Sequence, residues 1–236
     1  MLQIGIVGLP NVGKSTLFNA LTKASVPAEN YPFCTIEPAE AKVYVPDKRF
    51  DFLCEHYKPK SKVGASISIY DIAGLVKGAS TGAGLGNAFL SHIAEVDGIY
   101  HVVRAFPNAE IIHEEGEVEP IRDMEIICGE LIAKDRQKLE KIKPAIKLAI
   151  DRKNDKIAKE EMEIIVKIEA LFDAGKNVRD GDWNGKEIDF LNGHLFLTAK
   201  PVVYLINIGF EEYKTKKNKW LPKIQAWIAE HGGGPM

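Results

Sequence analysis

Short apolar runs separated by polar or glycine-rich segments dominate both ends of the chain. The runs with the length and spacing of strands lie at residues 4–7, 41–45, 66–70, 98–104 and 201–207. Helical spacing at residues 17–21 and 87–96 predicts helices between them. Alternating strands and helices are typical of an α/β fold with a mostly parallel sheet.

A different pattern, with apolar residues every three or four positions, fills the middle of the chain. Its two series are Leu139, Ile142, Ile146 and Ala149, and then Ile157, Ile164, Ile168 and Leu171. The polar stretch 151–155 separates them, which predicts two long helices packed as an antiparallel hairpin. The charged remainder of the hairpin fits either a solvated face or a docking surface.

Composition narrows the class of protein. The chain has 236 residues, of which 45% are apolar, and a formal net charge of -2. The apolar content predicts a hydrophobic core, but no run of residues is long and apolar enough to predict a membrane span. The small negative charge predicts no overall positive potential that would attract nucleic acid, and we expect no DNA sequence readout. Cys34, Cys54 and Cys128 are widely spaced, which predicts neither a disulfide framework nor a zinc site and favours an intracellular, reducing compartment. We expect a cytoplasmic protein that can also enter the nucleus.

A cluster of lysines near the end of the chain is a local basic patch. It consists of Lys214, Lys216, Lys217, Lys219 and Lys223, which we place at the start of the last helix. Such a cluster either contacts RNA phosphates or solvates a helix start.

Residues 8–16, GLPNVGKST, carry the strongest chemical signal. Two glycines, a lysine and a hydroxyl pair stand at the spacing of a phosphate-binding loop, between a predicted strand and a predicted helix. In such a loop the backbone N–H groups and the helix N-terminus attract phosphate oxygens. We expect residues 11–16 (Asn11, Val12, Gly13, Lys14, Ser15 and Thr16) to bind nucleotide, with Lys14 also catalytic and Ser15 on Mg2+.

Two further segments complete a candidate phosphate and metal site. Thr35 lies in the loop after the first helix, where nucleotide switches place a metal-binding hydroxyl, although a local turn bond is the alternative reading. The strand at residues 66–70 ends in Asp71, and Gly74 follows, so that Asp71 is expected to hold Mg2+ and Gly74 to offer its N–H to the terminal phosphate. Leu75 stands where related GTPases carry the glutamine that orients water, and a leucine cannot do this.

At this point the chain resembles a known family, the Obg-like ATPases, also called the YchF subfamily. The strings that carry the resemblance are GLPNVGKST (8–16), YPFCT (31–35), DIAGLVKGA (71–79), GLGNAFL (84–90) and HLFLT (194–198). The resemblance implies a Ras-like P-loop domain interrupted by a coiled-coil insertion and followed by a TGS domain, before which this chain stops. We accordingly divide the chain into residues 1–118 and 183–236, two parts of a nucleotide-binding domain, and residues 119–182, the insertion.

The resemblance also implies an activity, a catalytic residue and a cofactor. The family hydrolyses ATP in preference to GTP and is linked to ribosomes or stress pathways. Its suspected catalytic histidine corresponds to His113, for which a structural role is the alternative. In related GTPases an asparagine at the position of Asn11 accompanies a bound K+, so K+ is a further expected cofactor.

Base choice is argued from residues 207–210, NIGF. The lysine and aspartate that read guanine in Asn-Lys-x-Asp motifs are absent, so nothing rewards guanine, while Asn207 and the backbone of Ile208 can serve adenine. Phe210 departs from the family glutamate at this position. The prediction is thus a Mg-ATP hydrolase, expected as a monomer. The alternatives are a GTPase of the Obg class and a non-hydrolysing module whose shape follows the bound nucleotide.

Overall fold

The structure is a computed structural model that describes residues 1–23, 39–75, 78–80 and 85–236. Its strands are β1 (Leu2–Val7), β2 (Ala39–Tyr44), β3 (Ser66–Asp71), β4 (Gly98–Arg104) and β5 (Val202–Asn207). They form one sheet in the order β2-β3-β1-β4-β5, in which only the β2 and β3 pair is antiparallel. The predicted α/β class with a mostly parallel sheet is confirmed.

The register of the parallel strands gathers their carboxyl ends at one edge of the sheet. Ile6 of β1 is aligned with Asp71 of β3, and Arg104 of β4 is aligned with Asn207 of β5. Loops that leave the carboxyl ends of neighbouring parallel strands meet at the same edge, where ligands bind in open α/β sheets. The topology therefore brings the phosphate-loop, Asp71 and Asn207 segments together.

The helices are α1 (Lys14–Thr22), α2 (Lys48–Tyr57), α3 (Leu85–Glu95), α4 (Pro120–Lys153), α5 (Lys156–Asp173), α6 (Gly185–His194), α7 (Phe210–Thr215) and α8 (Leu221–Glu230). Three were not predicted, α2, α6 and α7. In the described ranges, no helix combines the length and the apolarity that crossing a membrane requires.

The predicted helical hairpin is confirmed, but its helices are unequal. α4 has 34 residues and α5 has 18, so at 1.5 Å per residue α4 extends roughly 24 Å beyond its partner. The first turns of α4 instead join the core of the sheet through Met124, Ile127 and Leu131. Its later turns share a second core with α5. Because α4 belongs to both cores, residue 118 does not mark a boundary between two separately packed units. The proposed division at residues 118 and 182 stays a prediction.

Two details of the sequence reading are wrong. Ile157, assigned to the seam of the hairpin, is 68% exposed, whereas Ile165 and Phe172 are buried there. Ile164 and Ile168 are buried there as predicted, so the predicted face of α5 is correct in its middle turns, but the buried surface is broader than the sequence pattern indicated. The lysine cluster does not open the last helix: Lys214 lies in α7 and Lys223 in α8, with the remainder between them.

Candidate nucleotide-binding site

The loop between β1 and α1 has the backbone shape that phosphate binding needs. Asn11 and Gly13 both have positive φ, 59° and 106°, and Gly13 caps the N-terminus of α1. Asparagine tolerates this conformation, and glycine adopts it without strain. A Cβ on Gly13 would also lie 2.7 Å from Nδ2 of Asn207. The first N–H groups of α1, which have no intrahelical acceptor, are available to an anion here. Thr16 lies exposed on the same first turn.

Lys14 is a buried cation at the start of α1. Its side chain reaches back so that Nζ donates to the carbonyl of Leu9 at 2.8 Å, and the residue is 7% exposed. Burial lowers the pKa of Lys14 to about 8, with Asp71 acting in the opposite direction. Burial therefore disfavours the charged form of Lys14, and a phosphate group beside its ammonium would offset that cost.

Asp71 is the matching buried anion at the end of β3. It is 1% exposed, and neither carboxylate oxygen has a hydrogen-bond partner among the described residues. Burial raises the pKa of Asp71, while the Ser15 hydroxyl and the Lys14 ammonium favour its charged form. Buried carboxylate oxygens are normally paired, so two orphaned ones beside a hydroxyl fit a magnesium ion or its water ligands. Thr35, the third predicted ligand, lies outside the described residues.

Gly74 lies directly against the phosphate loop. A Cβ there would be 2.9 Å from the backbone nitrogen of Pro10 and 3.1 Å from Nζ of Lys14, so no other residue fits without movement. The next N–H, from Leu75, donates to the carbonyl of Gly8 at 3.2 Å. The Leu75 side chain is fully buried in the sheet core and cannot orient water.

Asn207 connects the base side of the site to the phosphate loop. Its Nδ2 donates to the carbonyl of Val12 at 3.0 Å. Ile208 is partly buried and packs against the core of the sheet. Phe210 is 69% exposed, with Nζ of Lys214 lying 4.2 Å from its ring centroid. The amide nitrogen of Asn207 is therefore occupied by the loop, and only the side-chain oxygen is left for the predicted contact with a base.

The segment that contains His113 is held beside the phosphate loop by Asn11, whose Nδ2 donates to the carbonyl of Ile112 at 3.1 Å. His113 itself is buried, and its Nε2 lies 2.9 Å from Oδ2 of Asp123. The N–H of Glu115 donates to Nδ1 of His113 at 3.2 Å, so the proton resides on Nε2 and is donated to Asp123. Both ring nitrogens of His113 are thus engaged within the protein, as expected for the structural alternative. Its catalytic role stays a prediction that requires these bonds to open.

Sequence reasoning missed the residues that support this site from behind. Arg104, fully buried at the end of β4, donates to the carbonyls of Phe106, Asn108 and Ile111 and shapes the loop before His113. Asp123 and Glu130 of α4 bind other loops of the site. Their separation of seven residues, near two helical turns, indicates that they share a face of α4. This signal could not be recognised in the sequence because the hairpin helices contain many other charged residues.

Comparison with known proteins agrees with this geometry. A model of the family described as "50S ribosome-binding GTPase" matches residues 3–138, more than half of the chain. The chain belongs to this GTPase family. It is also 57% identical over 232 residues to Obg-like ATPase 1 of Oryza sativa subsp. indica, covering 98% of this chain and 59% of the relative. Over 237 residues it is 54% identical to Obg-like ATPase 1 of Homo sapiens, covering 100% of this chain and 60% of the relative.

A solved structure extends the likeness within the family. The YchF GTPase of Schizosaccharomyces pombe superposes with a TM-score of 0.81 at 52% identity, covering 100% of this chain and 64% of that one. The resemblance to the Obg-like ATPases and the P-loop fold class are therefore confirmed. The chain spans about three fifths of the length of the curated relatives it matches.

Proposed function

We propose that this chain binds Mg-ATP and hydrolyses its terminal phosphate bond by in-line attack of water. The observation that carries the proposal is the pair of buried, oppositely charged groups at the phosphate loop, Lys14 and Asp71. A triphosphate would accept hydrogen bonds from Lys14 and from the N–H groups of α1, and a divalent cation would satisfy the two orphaned oxygens of Asp71.

Each side chain then has a definite task. Lys14 neutralises charge on the outer phosphates, and the N–H of Gly74 is offered to the terminal phosphate. Ser15 and Asp71 would hold Mg2+, with Thr35 as the third proposed ligand. When bound, the metal neutralises charge that develops on the phosphate oxygens.

We propose adenine over guanine because the described part of the site lacks a carboxylate that would favour guanine. An aspartate that accepts the two N–H donors of guanine would stand at position 210, where the exposed Phe210 lies. A buried donor pair left unsatisfied is expected to weaken guanine binding by several kcal/mol, on the order of a hundredfold or more. Among the relatives, the curated proteins are named ATPases, and the solved structure is named a GTPase.

Isothermal titration of the nucleotide-free protein with non-hydrolysable Mg-ATP and Mg-GTP analogues tests binding and base choice together. We expect tighter binding of the ATP analogue, and its loss in Lys14→Ala but not in Lys141→Ala, which alters an exposed lysine of α4. Absence of ATP binding by the wild-type protein would end the proposal. Tighter GTP binding would make the chain a GTPase of the same family.

A second candidate, a non-hydrolysing module that changes shape with its nucleotide, is favoured by the buried Leu75 and the engaged His113. Single-turnover phosphate release separates the two: release above the rate in water that is lost in Lys14→Ala supports the enzyme. We further propose that nucleotide state controls binding to the ribosome or another translation component in the cytoplasm, which the name of the family supports.

A further inference from the structure

The face of α4 that looks toward the nucleotide site carries polar side chains at intervals of seven residues. Glu130 accepts hydrogen bonds from the backbone N–H groups of Gly78 at 2.6 Å and Ser80 at 2.7 Å, one on each carboxylate oxygen. Gln137, two turns further along, donates from Nε2 to the carbonyl of Ser80 at 2.8 Å. Three hydrogen bonds thus join the hairpin helix to the segment that follows Gly74.

The contact made by Glu130 is strong by its chemistry. The residue is 8% exposed, and hydrogen bonds from neutral donors to an ionised carboxylate are roughly twice as strong as neutral ones. A glutamine in its place retains one oxygen but turns an NH2 group toward a backbone N–H. An isosteric change therefore removes one bond and opposes two donors without altering the volume of the core.

The same face of α4 also reaches the loop on the other side of the phosphate loop. Asp123 binds His113, and the neighbouring Ile112 carbonyl accepts from Asn11. One continuous helix therefore contacts both segments that flank the phosphate-binding backbone. Its far half packs against α5, so a displacement of the hairpin is applied to both segments.

We propose that Glu130 is a positioning residue, which fixes the segment after Gly74 and couples the hairpin to the phosphate site. The proposal rests on the proposed function, because its effect is on hydrolysis. The chain from Gly78 back to Leu75 is short, and Leu75 N–H is already bound to Gly8, so anchoring Gly78 and Ser80 limits where the Gly74 N–H can lie. Loss of the anchor misplaces this donor in the transition state but leaves the lysine and the helix N-terminus to bind nucleotide.

The test compares Glu130→Gln with Glu125→Gln, which changes an exposed glutamate of the same helix. In the nucleotide-free protein, hydrogen exchange of the Gly78 and Ser80 amides should become at least about tenfold faster in Glu130→Gln and stay unchanged in Glu125→Gln. Single-turnover phosphate release should fall at least about tenfold, while the Kd for a Mg-ATP analogue stays within about threefold.

Other results decide against the proposal. If hydrogen exchange at Gly78 and Ser80 is unchanged in Glu130→Gln, then Glu130 does not anchor the segment. If exchange is faster but phosphate is released at the wild-type rate or above it, then the anchor does not position the reacting groups. If Glu130→Gln does not fold, Gln137→Met, which removes only the bond to Ser80, replaces it: a smaller loss of rate supports the proposal, and none overturns it. A wild-type protein that releases no phosphate refutes the proposed function and the positioning role together, whereas the exchange measurement still reports on the anchor itself.

Discussion

Lys14→Met is expected to change how the stability of the nucleotide-free protein depends on pH. Burial lowers the pKa of Lys14 from its ordinary value of 10.5 to about 8. Between these values the unfolded chain holds a proton that the native protein has released, so stability rises with pH in this window. The buried charge costs about 3 kcal/mol at pH 7, of which about 1 kcal/mol is recovered by pH 9.

Lys14→Met has no titratable group at this position, so its free energy of unfolding should not show this rise between pH 7 and pH 9. At pH 7 it should also be more stable than the wild type by on the order of 1 kcal/mol, because the relief of the buried charge exceeds the loss of the bond to the Leu9 carbonyl. Urea unfolding at pH 7, 8 and 9, followed by tryptophan fluorescence, measures both effects.

Lys141→Met, on the exposed face of α4, is the control and should follow the wild-type pH dependence. The difference in stability between wild type and Lys14→Met should narrow by about 1 kcal/mol from pH 7 to pH 9. Parallel curves for the two proteins across this range would refute the reasoning, since they would mean that the native lysine titrates as it does in the unfolded chain.

Three other substitutions test separate contacts. Asp71→Asn should stabilise the nucleotide-free protein by about 1 kcal/mol, because it removes a buried charge whose oxygens lack partners, and thermal unfolding measures this. Nucleotide affinity should depend less on Mg2+ than in the wild type, because one of the proposed metal ligands is lost, and titration with and without EDTA measures that change. Asn207→Ala removes the bond to the Val12 carbonyl and should weaken Mg-ATP binding about tenfold in calorimetry, whereas an unchanged affinity would show that the loop keeps its shape alone. Asn11→Ala should abolish any faster hydrolysis in K+ than in Na+, and equal wild-type rates in the two buffers would show that no potassium ion assists.

The fold and the phosphate loop were predictable because their signals are local. A strand, two glycines, Lys14 and a helix are contiguous, whereas the register that aligns Ile6 with Asp71 was found only in the structure. The interaction between Asn207 and Val12 was not predictable, because it joins residues 195 positions apart. The same holds for Glu130 and Gly78: a glutamate in a charged helix carries no mark of whether its partner is water or a backbone N–H group 52 residues away.

The candidate site combines two buried charges, each unfavourable by itself, with three side chains whose hydrogen bonds are favourable. Lys14 and Asp71 are both buried at the expense of their charged forms, while Arg104, Asn207 and Glu130 use buried hydrogen bonds to fix the surrounding loops. Under the proposed function, a Mg-nucleotide would supply the partners that Lys14 and Asp71 lack and would leave the other three residues in place. Binding energy would then be released at the phosphates and the metal, within loops that are already fixed. Since α4 carries some of the residues that fix these loops, hydrogen bonds connect the hairpin directly to the phosphate site, and under the proposed function a partner bound to the hairpin would act on the rate of hydrolysis through them.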